Sequence, residues 1–576
     1  MSKIQEKFEA LLESGLNLGA RIGDEVIISD GGIKQIYEFG NIYFHTRIGA
    51  AFECHGLILQ TYIELGEQSS GLGYPVSDES NDPSIFSSRM NRFEAGTLTF
   101  DPLVGVIPTF DELTIVPQIV VKVVDDLHLG IDRDMTFNLE QFFTAAGLLP
   151  GNALTSAIHA LLPELTLRRL FDDLSSSEIR DMVLEAQKNH PDYIAPVFDN
   201  FLVVDCPDGF DREALVAAFE LESSIIEYAY VPAPASNPTV VATGNPFFVG
   251  QGYLGPSPQG IGVQSAWAKG ADGSETRCVD LEQGWFLGHE DLPPRVPLLA
   301  GINRRSSFAH GTAVLGILAG VDNDQGIVGI APKSFAAAIS YFEPAVHRGR
   351  TRIFEIVASR ILASAISLSF GDVLQLEAQF DAEIDGQKTL LPVETNPAVF
   401  RAIELVTRCG IIVIEAAGNG NANLDNFRDR DGRRILARNH PLEFKDSGAI
   451  LVGGCTSDVQ HGKVPKSNFG SRIDCCAWGE NIITTGNPDH STQRNAYWTG
   501  PFFGNTSGAT PIITGVCLLI QNLQRLLQPQ TGPSGKLGPF SMRDILRKAQ
   551  NGTVVTGDIG SMPDMAKIIA NEYINS

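Results

Sequence analysis

Three residues in the second half of the chain are of the types that a serine hydrolase needs: Asp280, His310 and Ser507. A serine hydroxyl is a weak nucleophile until a base removes its proton, and a carboxylate must hold that base in one tautomer. Taken singly, Asp280 can be a turn residue at a strand end, and His310 and Ser507 can be helix caps. Together they predict acyl-transfer chemistry with these three as catalytic residues, although their spacing alone does not bring them into contact.

The sequence around each residue predicts the element that positions it. An apolar run leads into Asp280 and is typical of a buried strand that delivers the acid to the carboxyl edge of a sheet. Small and apolar residues after His310 predict a closely packed helix that begins there. A second buried helix is predicted to begin near Ser507, where free backbone N–H groups and the positive end of the helix dipole suit an oxyanion. Pro511 is compatible with this helix because it falls in the first turn.

The C-terminal part of the chain, after about residue 245, alternates apolar runs with helical segments and Gly-rich loops. Examples of these runs are Ile366–Phe370, Ile411–Ala416 and Ala449–Val452. The alternation predicts an α/β fold with a largely parallel sheet flanked by helices. A nucleotide-type pattern at Gly250–Gly255 is rejected, because prolines follow it where a phosphate-binding helix would have to begin.

The three segments, in the order Asp, His, Ser, resemble the subtilisin-like serine peptidases, or subtilases. The specific matches are His-Gly-Thr-x-Val-x-Gly, which begins at His310, and Thr-Ser-x-Ala-x-Pro, which contains Ser507. The resemblance covers residues 247–576 and implies a serine endopeptidase domain with a subtilisin-like fold. It implies that Ser507 attacks the scissile carbonyl of a protein or peptide, that His310 is the base and then the acid, and that Asp280 orients His310.

Two further segments extend the resemblance. Ala416–Gly420 resembles the family's oxyanion segment, which implies that Asn419 is the side-chain donor of the oxyanion hole. Ser367–Gly371 resembles the stretch that pairs with the substrate backbone and borders the P1 pocket, which implies that its last three residues bind substrate: Ser369, Phe370 and Gly371.

Two positions depart from the family pattern. Asn505 stands where glycine usually precedes the Thr-Ser pair, and asparagine tolerates unusual backbone angles better than most residues. Asp280 is followed by Leu281-Glu282 instead of the usual Thr/Ser-Gly. We expect Glu282 to face solvent; the alternative is that its charge perturbs the pocket.

Residues 116–235 resemble a subtilase propeptide, an α+β unit predicted to be ferredoxin-like and here enlarged by a helical insertion. Its last predicted strand, Ile225–Val231, leads into a Pro- and Ala-rich linker at residues 236–246. The resemblance implies a precursor, or zymogen, whose prodomain is an intramolecular inhibitor. We expect self-cleavage in or next to the linker, within Pro232–Asn245.

Residues 1–110 predict a small, mostly β module, because short alternating runs are separated by turn residues about every ten positions. Gly71–Glu79 and Phe93–Leu98 resemble one LGFP repeat. The resemblance implies a cell-wall or polysaccharide ligand, and the alternative is a purely structural appendage.

Composition limits the other partners. The 576 residues include 43 basic and 68 acidic ones, a net charge of −25, which disfavours binding to nucleic acid or anionic lipid. No apolar stretch reaches the roughly 18 residues that a transmembrane helix needs. The first residues are charged where a signal peptide is apolar, so we expect a cytoplasmic protein, or one released by a non-standard route. The eight cysteines are expected to be buried, reduced thiols.

No cofactor is predicted to be required, and no metal ligand belongs to the predicted site. Calcium often stabilises subtilases, and Asp322–Gln325 offers oxygen ligands for such a structural ion, although an acidic turn can equally bind nothing. The alternative to an enzyme is a catalytically silent subtilase fold that acts in recognition through its N-terminal modules.

Overall fold

The computed structural model of the chain describes residues 2–28, 30–81, 89–101, 105–110, 117–127, 137–138, 165–207, 210–220, 225–232, 250–323, 326–347, 350–486, 498–530 and 532–574. The predicted linker at residues 236–246 and part of the predicted helical insertion lie outside these ranges. Within them, three units follow one another along the chain.

The first unit holds two antiparallel sheets of four strands, with strand orders β1-β2-β3-β4 and β5-β6-β7-β8. The strands are β1 (Arg21–Ile27), β2 (Ile33–Tyr37), β3 (Gly40–Phe44), β4 (Ala51–His55), β5 (Ser80–Asn81), β6 (Arg89–Phe93), β7 (Gly96–Asp101) and β8 (Gly105–Phe110). The helices are α1 (Lys3–Glu13) and α2 (Gly56–Glu64). The unit is mostly β; its assignment as an LGFP repeat stays a prediction.

The second unit is built on a five-stranded antiparallel sheet of order β10-β11-β12-β9-β13. The strands are β9 (Gln118–Val123), β10 (Phe137–Asn138), β11 (Thr166–Arg169), β12 (Phe201–Asp205) and β13 (Ile226–Tyr230). Its helices are α3 (Ser176–Asn189), which begins with a capping box at Ser175, and α4 (Arg212–Glu220). The predicted ferredoxin-like topology stays a prediction, because residues 139–164 lie outside the described ranges.

The third unit is built on a six-stranded sheet of order β15-β14-β18-β21-β22-β23, in which every neighbouring pair is parallel. The strands are β14 (Arg277–Glu282), β15 (Phe335–Ser340), β18 (Val373–Leu376), β21 (Ile412–Ala416), β22 (Ile450–Cys455) and β23 (Cys475–Trp478). Because all strands run the same way, their carboxyl ends share one edge. The predicted parallel α/β sheet is therefore confirmed.

Hairpins and short pairs surround this sheet. They are β16 (Phe342–His347) with β17 (Arg350–Glu355), β19 (Gln379–Ile384) with β20 (Gln387–Pro392), β24 (Ile482–Thr485) with β25 (Trp498–Phe503), and β26 (Gly552–Thr553) with β27 (Met562–Pro563). The helices are α5 (Val263–Trp267), α6 (Phe308–Ala319), α7 (Val357–Ile366), α8 (Pro397–Arg408), α9 (Thr506–Leu527), α10 (Pro539–Arg547) and α11 (Met565–Ile569).

Helices cover both faces of the parallel sheet, because successive strand residues point to opposite sides. On one face Cys278 and Val373 join a core with α6 and α9. On the other face Val279 and Leu374 join a core with α7 and α8. The second unit packs onto this second face, since Phe171 and Ile179 belong to the same continuous core.

None of the eight cysteines, all of which lie within the described residues, forms a disulfide. In the same residues no helix combines the length and the apolar character needed to cross a membrane.

Candidate active site

His310 is held by Glu282, not by Asp280. The Nδ1 atom of His310 lies 2.5 Å from Oε2 of Glu282, and both side chains are buried, at 3% and 0% exposure. Glu282 is the last residue of β14, and His310 lies in the first turn of α6. A carboxylate at Nδ1 fixes the proton there and leaves Nε2 as the free base.

Asp280 lies two residues before Glu282, on the same face of β14, and its carboxyl group is hydrogen-bonded to residues other than His310. Its Oδ2 accepts a hydrogen bond from Trp285 Nε1 at 2.7 Å, and its Oδ1 accepts one from Gln375 Nε2 at 3.1 Å. The prediction that Asp280 orients the imidazole is wrong, and so is the expectation that Glu282 faces solvent. Burial and the charge of Glu282 raise the pKa of Asp280 well above its usual value.

The sequence did contain a signal for Glu282. Glycine follows two positions after this acid, at Gly284, as it does in the acid-Thr/Ser-Gly pattern of the family. The structure explains the glycine, because a Cβ on Gly284 would lie 2.2 Å from the carbonyl oxygen of Arg304. Because Asp280 and Glu282 lie on the same face of one strand, either could be aligned with the acid of the family pattern. The position of Gly284 favours Glu282.

Ser507 lies in the first turn of α9, where the sequence predicted it. The helix begins at Thr506, and its residues are buried from Thr506 to Gln524. The Ser507 side chain is 3% exposed. The N–H groups of Thr506 and Gly508 already donate, to Asn419 Oδ1 and to the carbonyls of Gly504 and Asn505. Of the first three N–H groups of the helix, the one on Ser507 is thus left to stabilise an oxyanion next to the serine.

Asn419 is held against the same helix end. Its Oδ1 accepts hydrogen bonds from the backbone N–H and the hydroxyl of Thr506, at 3.1 and 2.8 Å. Because the oxygen is used in this way, the amide Nδ2 is the free donor. It is buried and has no hydrogen-bond partner among the described residues, and the same is true of His310 Nε2. A buried donor and a buried ring nitrogen are thus both left without a partner among the described residues.

The residues predicted to bind substrate lie at the wrong edge of the sheet. Ser369, Phe370 and Gly371 precede β18, at the amino ends of the strands. Six residues of extended chain, roughly 20 Å, separate Gly371 from Glu377, which follows β18 at the carboxyl edge. The structure contradicts this prediction, because the Ser-Leu-Ser-Phe-Gly run is the turn between α7 and β18 and not a strand.

Glu377 is a site residue that the sequence analysis missed. It is 2% exposed, and its backbone N–H donates to the carbonyl of Leu281 at 3.1 Å, which brings it beside Glu282. Burial and the charges of Glu282 and Asp280 raise the pKa of Glu377 well above its usual value, and an interaction with the Ser507 hydroxyl opposes that rise. The only available signal was its place directly after an apolar strand.

No cluster of three or more metal-ligating side chains occurs among the described residues. Of the predicted calcium turn, Asp324 and Gln325 lie outside the described ranges, and Asn323 donates to the carbonyl of Glu290 at 3.0 Å. Near it, Asp291 is fully buried and one of its carboxyl oxygens has no hydrogen-bond partner within the described residues. Burial raises the pKa of Asp291 to about 6.

Comparison with known proteins finds similarity to proteases over the region that contains this site. Residues 300–560 match the model of the subtilase family, a range that includes His310 and Ser507 and begins after β14. The chain is 26% identical over 272 residues to the calcium-dependent protease of Trichormus variabilis, covering 45% of this chain and 40% of that protein. It is 24% identical over 282 residues to the major intracellular serine protease of Bacillus subtilis, covering 46% of this chain and 76% of that one.

The matched region thus spans two fifths of the calcium-dependent relative. Among solved structures, fervidolysin from Fervidobacterium pennivorans, a keratinolytic enzyme related to subtilisin, aligns with 17% identity and a TM-score of 0.47. That alignment covers 81% of this chain and 62% of fervidolysin.

Proposed function

We propose that this chain, which carries a subtilase-family domain at residues 300–560, is a serine endopeptidase with Glu282, His310 and Ser507 as its catalytic triad. The observation that carries the proposal is the buried contact of 2.5 Å between His310 Nδ1 and Glu282 Oε2. A buried imidazole fixed in this way, with its Nε2 unsatisfied among the described residues, is suited to act as a base.

In the proposed mechanism, Ser507 Oγ attacks the scissile carbonyl while His310 Nε2 takes the hydroxyl proton. The Asn419 amide and the backbone N–H of Ser507 stabilise the oxyanion. The imidazolium, stabilised by Glu282, then gives its proton to the leaving amine, and an acyl-enzyme ester remains. Water hydrolyses this ester by the same proton transfers in reverse.

Labelling with a fluorophosphonate tests the proposal, because the reagent reacts only with an activated serine. We expect one adduct, mapped by peptide mass spectrometry to Ser507, and loss of both labelling and peptide hydrolysis in Ser507→Ala. Ser364→Ala is the matched control, since Ser364 is a buried helical serine that donates only to the carbonyl of Arg360 in its own helix. An unlabelled wild-type protein would instead favour the silent fold that acts in recognition.

The zymogen prediction is part of the same proposal. The second unit contacts the third unit through Tyr230, whose hydroxyl donates a hydrogen bond to Asn396 Oδ1 at the start of α8, at 2.6 Å. A second contact runs from Arg430 to the carbonyl of Glu227 in β13, at 2.8 Å. These two contacts hold β13 against the third unit, and the segment predicted to be cleaved follows β13 in the sequence. Intact mass separates the outcomes: wild-type protein is cut within 232–245, and Ser507→Ala stays whole.

A structural calcium ion is also proposed, since one relative is named a calcium-dependent protease. Asp291, with its unsatisfied buried oxygen, and the neighbouring Asn323 would provide oxygen ligands. Chelation with EDTA is expected to lower the melting temperature of the wild type and to have no effect on Asp291→Asn. A polysaccharide ligand of the first unit stays a prediction that pull-down on cell-wall material tests.

A further inference from the structure

The loop that carries Asn419, at residues 417–420, runs beside the segment that follows β18. β18 and β21 are neighbouring parallel strands in which Leu376 pairs with Glu415. Because the chain leaves both strands at the carboxyl edge of the sheet, the residues just after them lie close together. Gln379, the first residue of β19, reaches the loop in this way: the backbone N–H of Asn419 donates to Gln379 Oε1 at 2.9 Å.

The chemistry of this hydrogen bond fixes the orientation of the Gln379 amide. A backbone N–H can only donate, so the atom that faces it is the amide oxygen and not the amide nitrogen. Gln379 is buried, which limits the access of water that could replace it as the acceptor. The hydrogen bond therefore joins the loop to the start of the hairpin formed by β19 and β20.

The peptide between Gly418 and Asn419 is the part of the loop that this bond holds. Gly418 has a φ of 87°, which glycine adopts without steric cost, so its own backbone preferences leave the orientation of this peptide open. The carbonyl of Gly418 accepts a hydrogen bond from the backbone N–H of Asn468 at 3.1 Å. The peptide is thus held at its oxygen by Asn468 and at its N–H by Gln379.

The orientation of this peptide sets the direction of the Asn419 side chain, because the peptide ends at the Cα atom that carries it. The far end of the side chain is also held, since its Oδ1 accepts the two hydrogen bonds from Thr506. With the backbone and Oδ1 both held, the direction of the unsatisfied Nδ2 is determined. A donor that is fixed in advance stabilises an oxyanion best, because it does not have to reorient during the reaction.

We propose, on the basis of the proposed peptidase function, that Gln379 is a positioning residue of the oxyanion hole. Its Oε1 holds the peptide between Gly418 and Asn419, and thereby aims Asn419 Nδ2 at the carbonyl oxygen of the substrate. Gln379 touches neither the substrate nor the reacting atoms in this scheme; it acts through Asn419.

A double-mutant cycle with Asn419→Ala tests this inference on the full-length protein. Gln379→Met keeps the length of the side chain and replaces the acceptor by a thioether, which accepts only weakly. In the wild-type background we expect it to lower turnover about 10- to 100-fold, as misplacement of a catalytic group does, with little change in the Michaelis constant. In the Asn419→Ala background the same change should cost less than about threefold, because the amide that Gln379 positions is already absent.

Two further variants make the result specific. Gln251→Met is the matched control: Gln251 and Gln379 are both 3% exposed, and Gln251 Oε1 accepts the backbone N–H of Val328 at 3.0 Å. It should lower the melting temperature at least as much as Gln379→Met does, and it should keep wild-type turnover. Gln379→Asn is one methylene too short to reach the N–H, so it should show the same loss of turnover if the methionine variant does not fold.

Three results would overturn the inference. An equal loss from Gln379→Met in both backgrounds would show that Gln379 acts independently of Asn419. Wild-type turnover in both Gln379 variants would show that the loop keeps its shape without this hydrogen bond. A raised Michaelis constant at unchanged turnover would make Gln379 a substrate-binding residue. Failure of the proposed function is a separate outcome, because the wild type would then neither hydrolyse peptides nor react with a fluorophosphonate.

Discussion

At the scale of single residues, the main finding is that Glu282, and not Asp280, contacts the imidazole of His310. Glutamate is one methylene longer than aspartate, and it reaches His310 Nδ1 from the last position of β14. The sequence predicted His310, Ser507 and Asn419 as site residues, because each lies in a motif that can be aligned with the family pattern in only one way. It did not identify Glu282 as the partner of His310, because Asp280 and Glu282 share one strand face and only the glycine after Glu282 distinguishes them.

Asn419 provides the first prediction at this scale. Asn419→Ala removes the unsatisfied amide that we propose as the oxyanion donor, and removal of such a donor costs about 10²- to 10³-fold in turnover. The Michaelis constant should change little, because the bond forms mainly in the transition state. Steady-state kinetics on a peptide substrate measure both constants. A rise in the Michaelis constant at unchanged turnover would contradict the assignment of Asn419.

At the scale of elements, the prediction of strands was limited by runs whose composition fits more than one structure. Ile366–Phe370 is apolar enough for a strand, yet Ile366 ends α7 and the residues after it form a turn. Tertiary packing decides such cases: Gln521 of α9 donates to the carbonyl of Gly371 at 2.7 Å and fixes the turn below β18. The position of Glu377, directly after β18 and beside Glu282, therefore could not be identified from apolar character alone.

The start of α9 gives a prediction about this element. Asn505 precedes the helix with φ 57° and ψ −156°, a region that is essentially restricted to glycine, and its side chain makes no cap hydrogen bond. Strain of this kind costs about 1–3 kcal/mol, and replacing Asn505 by glycine would relieve it. Glycine has a larger entropy in the unfolded chain, which offsets about 0.5–1 kcal/mol of the stability gained by relieving the strain.

Asn505→Gly is therefore expected to raise the free energy of unfolding by about 1 kcal/mol, measured by urea denaturation. Turnover should persist, because the Ser507 backbone is unchanged. Asn505→Ala is the comparison and should be less stable than wild type. If glycine destabilises the protein, the backbone at residue 505 is not strained.

At the scale of the whole molecule, buried acids couple stability to pH. Burial and the charge of Glu394 raise the pKa of Glu415 well above its usual value. The folded state therefore holds this proton more tightly than the unfolded state, in which the pKa is about 4.3. The stabilising effect of the proton is complete below that value and is lost as pH rises toward the folded pKa.

We predict that Glu415→Gln flattens this part of the pH dependence. Between about pH 4 and pH 7 the free energy of unfolding should fall less with rising pH in the variant than in wild type. Urea denaturation at several pH values provides the comparison. Parallel curves for the two proteins would mean that Glu415 titrates alike in both states.

The arrangement of the whole chain was predictable only in part. The alternation of strands and helices predicted the parallel sheet, because its strands are buried on both faces. The way in which the second unit packs on the third unit was not predictable, since the contact between Tyr230 and Asn396 joins residues of different units. Sequence spacing does not encode such a contact.

The most direct test of the central claim compares the two acids of β14. Replacing a triad carboxylate by its amide leaves the geometry intact and lowers turnover about 10⁴-fold. We predict a loss of this size for Glu282→Gln, and a loss within about tenfold for Asp280→Asn. If Asp280→Asn instead abolishes turnover while Glu282→Gln retains it, Glu282 is not the acid that orients His310.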